Sequence, residues 1–186
     1  MNMTYPLQVA GLKRDLPLCR VTDELYIGAF VIFGDVELTV KCAEALLATA
    51  PEYDILVTAE AKGIPLAYEM ARQTNAEHYI IARKVPKLYM KNVFSVKVRS
   101  ITTAQEQHLC IDQDDADYMR GKRVLIVDDV ISTGESLKAV EALVEKAGGN
   151  IVGRMAILAE GDATERDDII YLEKLPLFNP DGTVKG

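Results

Sequence analysis

Residues 124–136 read Val-Leu-Ile-Val-Asp-Asp-Val-Ile-Ser-Thr-Gly-Glu-Ser. The four apolar β-formers at 124–127 are typical of a strand that is buried on both faces of a parallel sheet. We expect Asp128 and Asp129 to emerge at the carboxyl end of this strand, where open α/β sheets bind ligands. The hydroxyl residues and glycine that follow can offer backbone N–H groups and hydroxyls to a phosphate, at the start of a helix. The segment therefore predicts a site for a sugar phosphate.

Strand and helix patterns alternate on both sides of this segment. The alternation predicts an α/β fold with a mostly parallel sheet and right-handed crossovers. The predicted strands are 26–33, 55–58, 79–82, 124–127, 151–159 and 175–178, and the predicted helices are 38–50, 65–73 and 136–147.

One segment interrupts this alternation. Residues 93–98 alternate in polarity as in a hairpin strand, and 109–111 are the expected returning strand. We expect 85–108 to project from the sheet as a flap, and the charged stretch 112–123 to lead back into it.

Composition limits the classes of function. The chain has 186 residues, 49% of them apolar and 26% charged, which fits one soluble domain. A net charge of −7 makes a nucleic-acid partner unexpected. No apolar run is long enough to cross a membrane, and no signal peptide opens the sequence. The three cysteines form no C-x-x-C pair, so we expect reduced thiols and a cytoplasmic protein.

Cations are found at two other predicted strand ends. Glu60-Ala61-Lys62-Gly63 lies between a strand and a helix, and Arg83-Lys84 follows the next strand, with Lys87 close by. Such clusters can bind an anionic leaving group. Neither a G-x-x-x-x-G-K-[ST] nucleotide loop nor a G-x-G-x-x-G dinucleotide fingerprint occurs.

Residues 124–136 resemble the phosphoribosyl-pyrophosphate (PRPP) motif of type I phosphoribosyltransferases, in which four apolar residues precede two acids and a phosphate loop. The resemblance implies that fold, as a single domain over 1–186. It also implies a flexible flap at 85–110 and a small hood from 1–36 plus the C-terminal segment. Asp128 and Asp129 would be the catalytic pair that holds the ribose hydroxyls. The 5′-phosphate would be wrapped by Ile131, Ser132, Thr133, Gly134, Glu135 and Ser136.

The basic loops extend the resemblance to adenine phosphoribosyltransferases. Residues 60–63 resemble their pyrophosphate loop, which would assign Ala61 and Lys62 to PRPP and place a cis peptide at Ala61–Lys62. The run that begins at Arg83 resembles their Arg-Lys-x-x-Lys-Leu stretch, so Arg83, Lys84 and Lys87 would bind pyrophosphate. The implied cofactor is Mg²⁺ carried by PRPP, without a metal site made by the protein.

The base is less constrained by the sequence. Ser132 stands where hypoxanthine-guanine enzymes usually carry Asp, which favours adenine-type or xanthine-type enzymes. Phe33 lies in a segment similar to the base-contacting Val-Phe-Arg-Asp-Ile of adenine enzymes and would stack on the purine. The flap position of the adenine enzymes' Glu corresponds to Thr102, with Glu106 nearby, so no catalytic Glu is assigned.

These resemblances predict a purine phosphoribosyltransferase that acts on PRPP and a purine base, with adenine as the first choice. We expect a homodimer, and we expect neither a nucleic acid nor a membrane as a partner. A xanthine or hypoxanthine/guanine enzyme is the first alternative. A non-catalytic PRPP-sensing regulator is the second, and we would expect it to carry an added DNA-binding domain and a basic face.

Overall fold

The computed structural model describes residues 3–99 and 106–185, and its helices and strands alternate along most of the chain. The elements, in chain order, are β1 (Thr4–Val9), β2 (Leu12–Arg20), β3 (Tyr26–Gly28), α1 (Val36–Leu47), β4 (Ile55–Ala59), α2 (Ile64–Gln73), β5 (Ile80–Ala82), β6 (Val93–Arg99), β7 (Glu106–Asp112), α3 (Gln113–Met119), β8 (Arg123–Ile131), α4 (Glu135–Ala147), β9 (Asn150–Glu160), a 3₁₀ turn (Gly161–Glu165), β10 (Ile170–Leu175) and β11 (Leu177–Phe178).

The central sheet has five strands in the order β10-β9-β8-β4-β5, and each neighbouring pair is parallel. This arrangement confirms the predicted parallel sheet flanked by helices. Strand β8 occupies the middle position of the sheet, and a core of apolar residues packs on each face of its segment 124–127. Val124 and Ile126 pack into a core with α4, whereas Leu125 and Val127 pack into a second core with α1 and α2. The run at 124–127 is continuously apolar because this part of β8 is buried on both faces.

The two acids lie inside β8 and not beyond its end, so the predicted strand 124–127 was too short. Strand β9 continues alongside, and it pairs Asp128 with Ala156 and Ile131 with Ala159. Hydrogen bonding to β9 therefore keeps the backbone extended through the acids even though their side chains are polar.

The N-terminal part forms a second, antiparallel sheet in the order β1-β2-β3-β11. The first hairpin was not predicted because β2 carries charges on its exposed side, and its buried face is short. Strand β11 joins β3 in this sheet, which brings a C-terminal segment to residues 1–36. The predicted strand 26–33 ends early, at Gly28, because Phe30 and Ile32 turn into the core with α1 instead of continuing the ladder.

The β6–β7 hairpin occupies the predicted flap region. The hairpin was expected to project from the sheet, but part of it packs against the rest of the fold. Val96, Leu109 and Ile111 are buried in the core with α4. The backbone of Cys110 also pairs with Arg83, just after β5. Residues 100–105, which include Thr102, lie outside the described residues.

Two further elements were absent from the prediction. The charged stretch 112–123 contains α3, which buries only Ala116 and Met119 and therefore has little apolar signal. Strand β10 lies at the sheet edge, where most of its side chains remain at least partly exposed. Within the described residues, no helix is long and apolar enough to cross a membrane.

Candidate active site

A cleft of about 420 Å³ opens at the carboxyl ends of β4 and β8. It gathers most of the residues that the sequence assigns to a sugar phosphate and its leaving group. The predicted residues that line it are Ala61, Lys62, Lys84, Asp128, Asp129, Ile131, Ser132, Thr133, Gly134, Glu135 and Ser136.

The loop between β8 and α4 forms one end of the cleft. Helix α4 begins at Glu135, and Gly134 at its N-cap has a φ of 74°, a left-handed conformation that glycine adopts without a steric cost. The first N–H groups of an α-helix have no partner within the helix, so they can bind an anion. The hydroxyls of Ser132, Thr133 and Ser136 lie in the same cleft lining. This end of the cleft suits a phosphate.

Asp128 and Asp129 follow in the middle of the cleft with different surroundings. Asp129 is only 3% exposed, whereas Asp128 is partly exposed and its Oδ1 accepts a hydrogen bond of 2.8 Å from the Asp129 N–H. Burial, and secondarily the charge of Asp129, raise the pKa of Asp128 to about 7. The negative charges of these two adjacent carboxylates are only partly balanced by nearby groups, so both can accept hydrogen bonds from a diol.

Lys62 provides a counter-charge from the loop after β4. Its Nζ lies 2.9 Å from Asp129 Oδ2, close enough for an ion pair, although the geometry is not that of a hydrogen bond. Lys62 is about half exposed, so its ammonium borders the cleft while the carboxylate is buried. The pair links the acidic centre of the cleft to its basic end.

Gly63 allows this loop to lie directly against the acids. A Cβ at this position would lie 2.1 Å from Thr58 Oγ1 and 3.0 Å from Asp128 Oδ1, so a side chain has no room. The loop contains a cis peptide, as expected, but at Glu60–Ala61 and not at Ala61–Lys62. The predicted position of the cis bond was therefore one residue too late.

Glu60 organises the other cations. Its Oε1 lies 3.4 Å from Arg83 Nη1 and 3.6 Å from Lys87 Nζ, and its Oε2 accepts a hydrogen bond of 3.3 Å from the Lys84 N–H. Burial opposes ionisation of Glu60, but the Lys84 N–H and the charges of Lys87 and Arg83 together lower its pKa. Arg83 and Lys87 thus face Glu60 and do not line the cleft, whereas Lys84 does.

The direction in which each side chain leaves strand β7 decides which residues of the hairpin reach the cleft. Gln107 and Leu109 of β7 line the cleft, while Glu106 points away from it and lies 3.5 Å from Lys97. Alternate residues of a strand face opposite sides, which explains why Gln107 and not Glu106 reaches the site. The alternation in β7 could have identified Gln107. Phe33 is half exposed and is not part of the cleft lining.

Metal ligation by the protein finds little support in the cleft. Among residues 3–99 and 106–185, no group of three or more His, Cys, Asp or Glu side chains could hold a metal ion. Asp129 already faces Lys62, and the raised pKa of Asp128 weakens it as a ligand.

Comparison with known proteins identifies the family. The family model of the phosphoribosyl transferase domain matches residues 39–177, which include both basic loops, the two acids and the loop at 131–136. The chain belongs to the phosphoribosyl transferase family.

Individual members of this family resemble the chain to different extents. Adenine phosphoribosyltransferase from Petrotoga mobilis is 34% identical over 123 residues, which are 66% of this chain and 67% of the relative. Hypoxanthine/guanine phosphoribosyltransferase from Methanococcus voltae is 35% identical over 113 residues, 61% of this chain and 56% of the relative. The chain thus spans between about half and two thirds of these two relatives.

A solved structure shows the same fold. The adenine phosphoribosyltransferase from Thermoanaerobacter pseudethanolicus superimposes with a TM-score of 0.64 over 77% of this chain and 84% of that one, at 24% identity.

Proposed function

We propose that this phosphoribosyl transferase joins PRPP to a free purine base, adenine first, and releases a purine nucleoside 5′-monophosphate and pyrophosphate. The observation that carries the proposal is one cleft whose lining brings together the loop at 131–136, two carboxylates and two lysines. PRPP carries the matching groups: a 5′-phosphate, two ribose hydroxyls and a pyrophosphate at C1.

Each set of residues in the cleft binds a different group of PRPP in this proposal. The amides and hydroxyls of 131–136 bind the 5′-phosphate, and Asp128 and Asp129 accept hydrogen bonds from the ribose hydroxyls. Lys62 and Lys84 stabilise the departing pyrophosphate. As the bond to pyrophosphate breaks, positive charge develops on the sugar, and the two carboxylates offset it. Fixing both ends of PRPP lowers the entropic part of the barrier.

Magnesium fits this site as a companion of the substrate. The oxygens of PRPP would provide the ligands that Mg²⁺ prefers, and the ion usually keeps several waters. When bound, it would neutralise charge on the pyrophosphate. Asp128 and Asp129 line the cleft, and they are the residues that we propose would lie nearest to the ion that PRPP carries.

The choice of base rests on Ser132 and the relatives. Ser132 lines the cleft and cannot easily accept a proton as an Asp could. An adenine enzyme among the relatives covers more of this chain than the hypoxanthine/guanine enzyme does, at similar identity. Hypoxanthine or guanine is the second candidate, because the relative from Methanococcus voltae carries that name. Phe33 remains the proposed stacking residue.

The assembly and the moving parts belong to the same proposal. We propose a homodimer in the cytoplasm, with residues 1–36 and the C-terminal segment as a hood and the hairpin at 85–110 as a flap. Val85, Leu88 and Tyr89 support an interface because all three are exposed apolar side chains in one short segment. Sedimentation of the protein before and after Leu88→Asp tests the dimer.

The decisive experiment incubates the protein with Mg²⁺, PRPP and, separately, adenine, hypoxanthine, guanine and xanthine. Nucleotide formation is followed by chromatography. We expect adenine to be used with the highest kcat/KM. Turnover of a 6-oxopurine alone would replace adenine by the second candidate. PRPP binding without turnover of any base would favour a PRPP-sensing regulator instead.

A further inference from the structure

The proposed phosphate loop lacks a positive charge of its own. Residues 131–136 contain no Lys or Arg, and they include Glu135. Lys62 and Lys84 belong to the loops after β4 and β5, where pyrophosphate is proposed to bind. A 5′-phosphate carries close to two negative charges at neutral pH. Backbone amides at a helix N-terminus can bind it, and a charge-assisted hydrogen bond from a guanidinium would strengthen that binding.

Arg166 lies beside Gly134, although it is not among the residues that line the cleft. It follows the 3₁₀ turn after β9, and its Nη1 lies 2.9 Å from the point that a Cβ on Gly134 would occupy. Its side chain is 29% exposed, so it is partly accessible to solvent. Gly134 thus serves two purposes: it adopts the left-handed conformation at the start of α4, and it leaves room for a guanidinium beside the loop.

A chain of ion pairs fixes the direction of this guanidinium. Arg166 donates from Nε and Nη2 to the two carboxylate oxygens of Asp168, at 2.8 and 2.7 Å. Asp168 also lies 3.6 Å from Arg154, and Arg154 bonds Glu141 on α4. Two of the three nitrogens of Arg166 are engaged by Asp168, and Nη1 is the one nearest the phosphate loop. A bidentate pair of this kind holds a planar guanidinium in one orientation.

We propose that Arg166 is a further binding residue for the 5′-phosphate, with Asp168 as the residue that positions it. This inference rests on the proposed function of the cleft. It adds that recognition of the 5′-phosphate depends on a side chain 30 residues beyond the motif, from the segment that follows β9. Arg166 would contribute to the affinity for ribose phosphates and not to the affinity for pyrophosphate.

The test measures ribose 5-phosphate and Mg²⁺-pyrophosphate separately by titration calorimetry, on the wild type and on Arg166→Gln. We expect the variant to lose about 10- to 100-fold in affinity for ribose 5-phosphate, as for removal of a charged hydrogen-bond donor. Its affinity for pyrophosphate should change less than about twofold. In turnover assays, KM for PRPP should rise more than kcat falls. Arg166→Lys should recover part of the lost affinity because it keeps the charge.

The control variant is Lys138→Gln, which removes one positive charge from the exposed side of α4. It should leave both affinities near the wild-type values, and thermal unfolding verifies that each variant is folded. Equal affinity of Arg166→Gln and wild type for ribose 5-phosphate would overturn the inference while leaving the proposed function intact. Failure of the wild type itself to bind ribose 5-phosphate and PRPP would overturn both.

Discussion

The cleft has two halves that are built in different ways. In the phosphate half, the acids and the loop at 128–136 are consecutive in sequence, and all the predicted residues line the cleft. In the basic half, formed by the loops at 60–63 and 83–87, only some of the predicted residues do, because Arg83 and Lys87 face Glu60. A contiguous motif carries its own geometry along the backbone. A dispersed cluster depends on which partner each side chain meets.

The largest expected effect tests the phosphate half. Replacing both acids, Asp128→Asn with Asp129→Asn, should reduce PRPP affinity by at least about 100-fold, because two charged acceptors for the ribose hydroxyls are lost. Calorimetry with Mg²⁺-PRPP measures this. The matched control is Asp114→Asn with Asp117→Asn, two exposed acids of α3. Unchanged affinity in the first double variant would remove the acids from the site.

The second prediction concerns the cost of keeping Asp128 in the cleft. Its pKa is about 7 in the folded protein and near 4 in the unfolded chain. Between these values the folded state binds more protons, so this group makes the protein less stable as the pH rises from about 4 to 7. Asp128→Asn removes the titration. Its free energy of unfolding relative to wild type should therefore increase across that window, by on the order of 2 kcal/mol.

Urea unfolding at pH 5 and pH 8 provides the measurement, with Asp114→Asn as the control that should track the wild type at both. A difference between Asp128→Asn and wild type that stays constant with pH would contradict the raised pKa. A more stable variant that no longer binds PRPP would show that the phosphate half trades stability for function.

The third prediction addresses the contact between the two halves. Lys62→Met leaves the buried Asp129 carboxylate without its ion-pair partner and should lower the free energy of unfolding by about 1 kcal/mol, less than for a fully buried pair because Lys62 is half exposed. Lys41→Met, which breaks the exposed pair with Glu44, should change stability little. If Lys62→Met and Lys41→Met lowered the free energy of unfolding equally, the contact with Asp129 would stabilise the protein no more than an exposed ion pair does.

The smallest effect sharpens the account of the basic half. Glu60→Gln removes the charge that Arg83 and Lys87 face, so both cations become available to an anion in the cleft. Pyrophosphate affinity should rise roughly threefold at low salt, and the gain should shrink as salt screens the charges. Glu173→Gln, at an exposed position of β10, is the control. A fall in affinity would instead assign Glu60 a direct role in binding.

Apolar patterning was sufficient for the buried parts of the fold. The strands at 55–58 and 124–127 and the helices around them were predicted because each buries a continuous run or a periodic face. Strands β1, β2 and β10 were missed because much of their surface remains exposed, so their sequences lack a strong apolar signal. Helix α3 was missed for the same reason.

The sequence by itself determined the central parallel sheet, the two acids and the phosphate loop, because these depend on neighbouring residues and on burial of β8. Tertiary structure alone decided which charges meet: Lys62 faces Asp129, Glu60 faces Arg83 and Lys87, and Gln107 enters the cleft. It also decided that Arg166 reaches Gly134. Electrostatic pairing acts over a few ångströms between elements distant in the chain, and no local pattern encodes those distances.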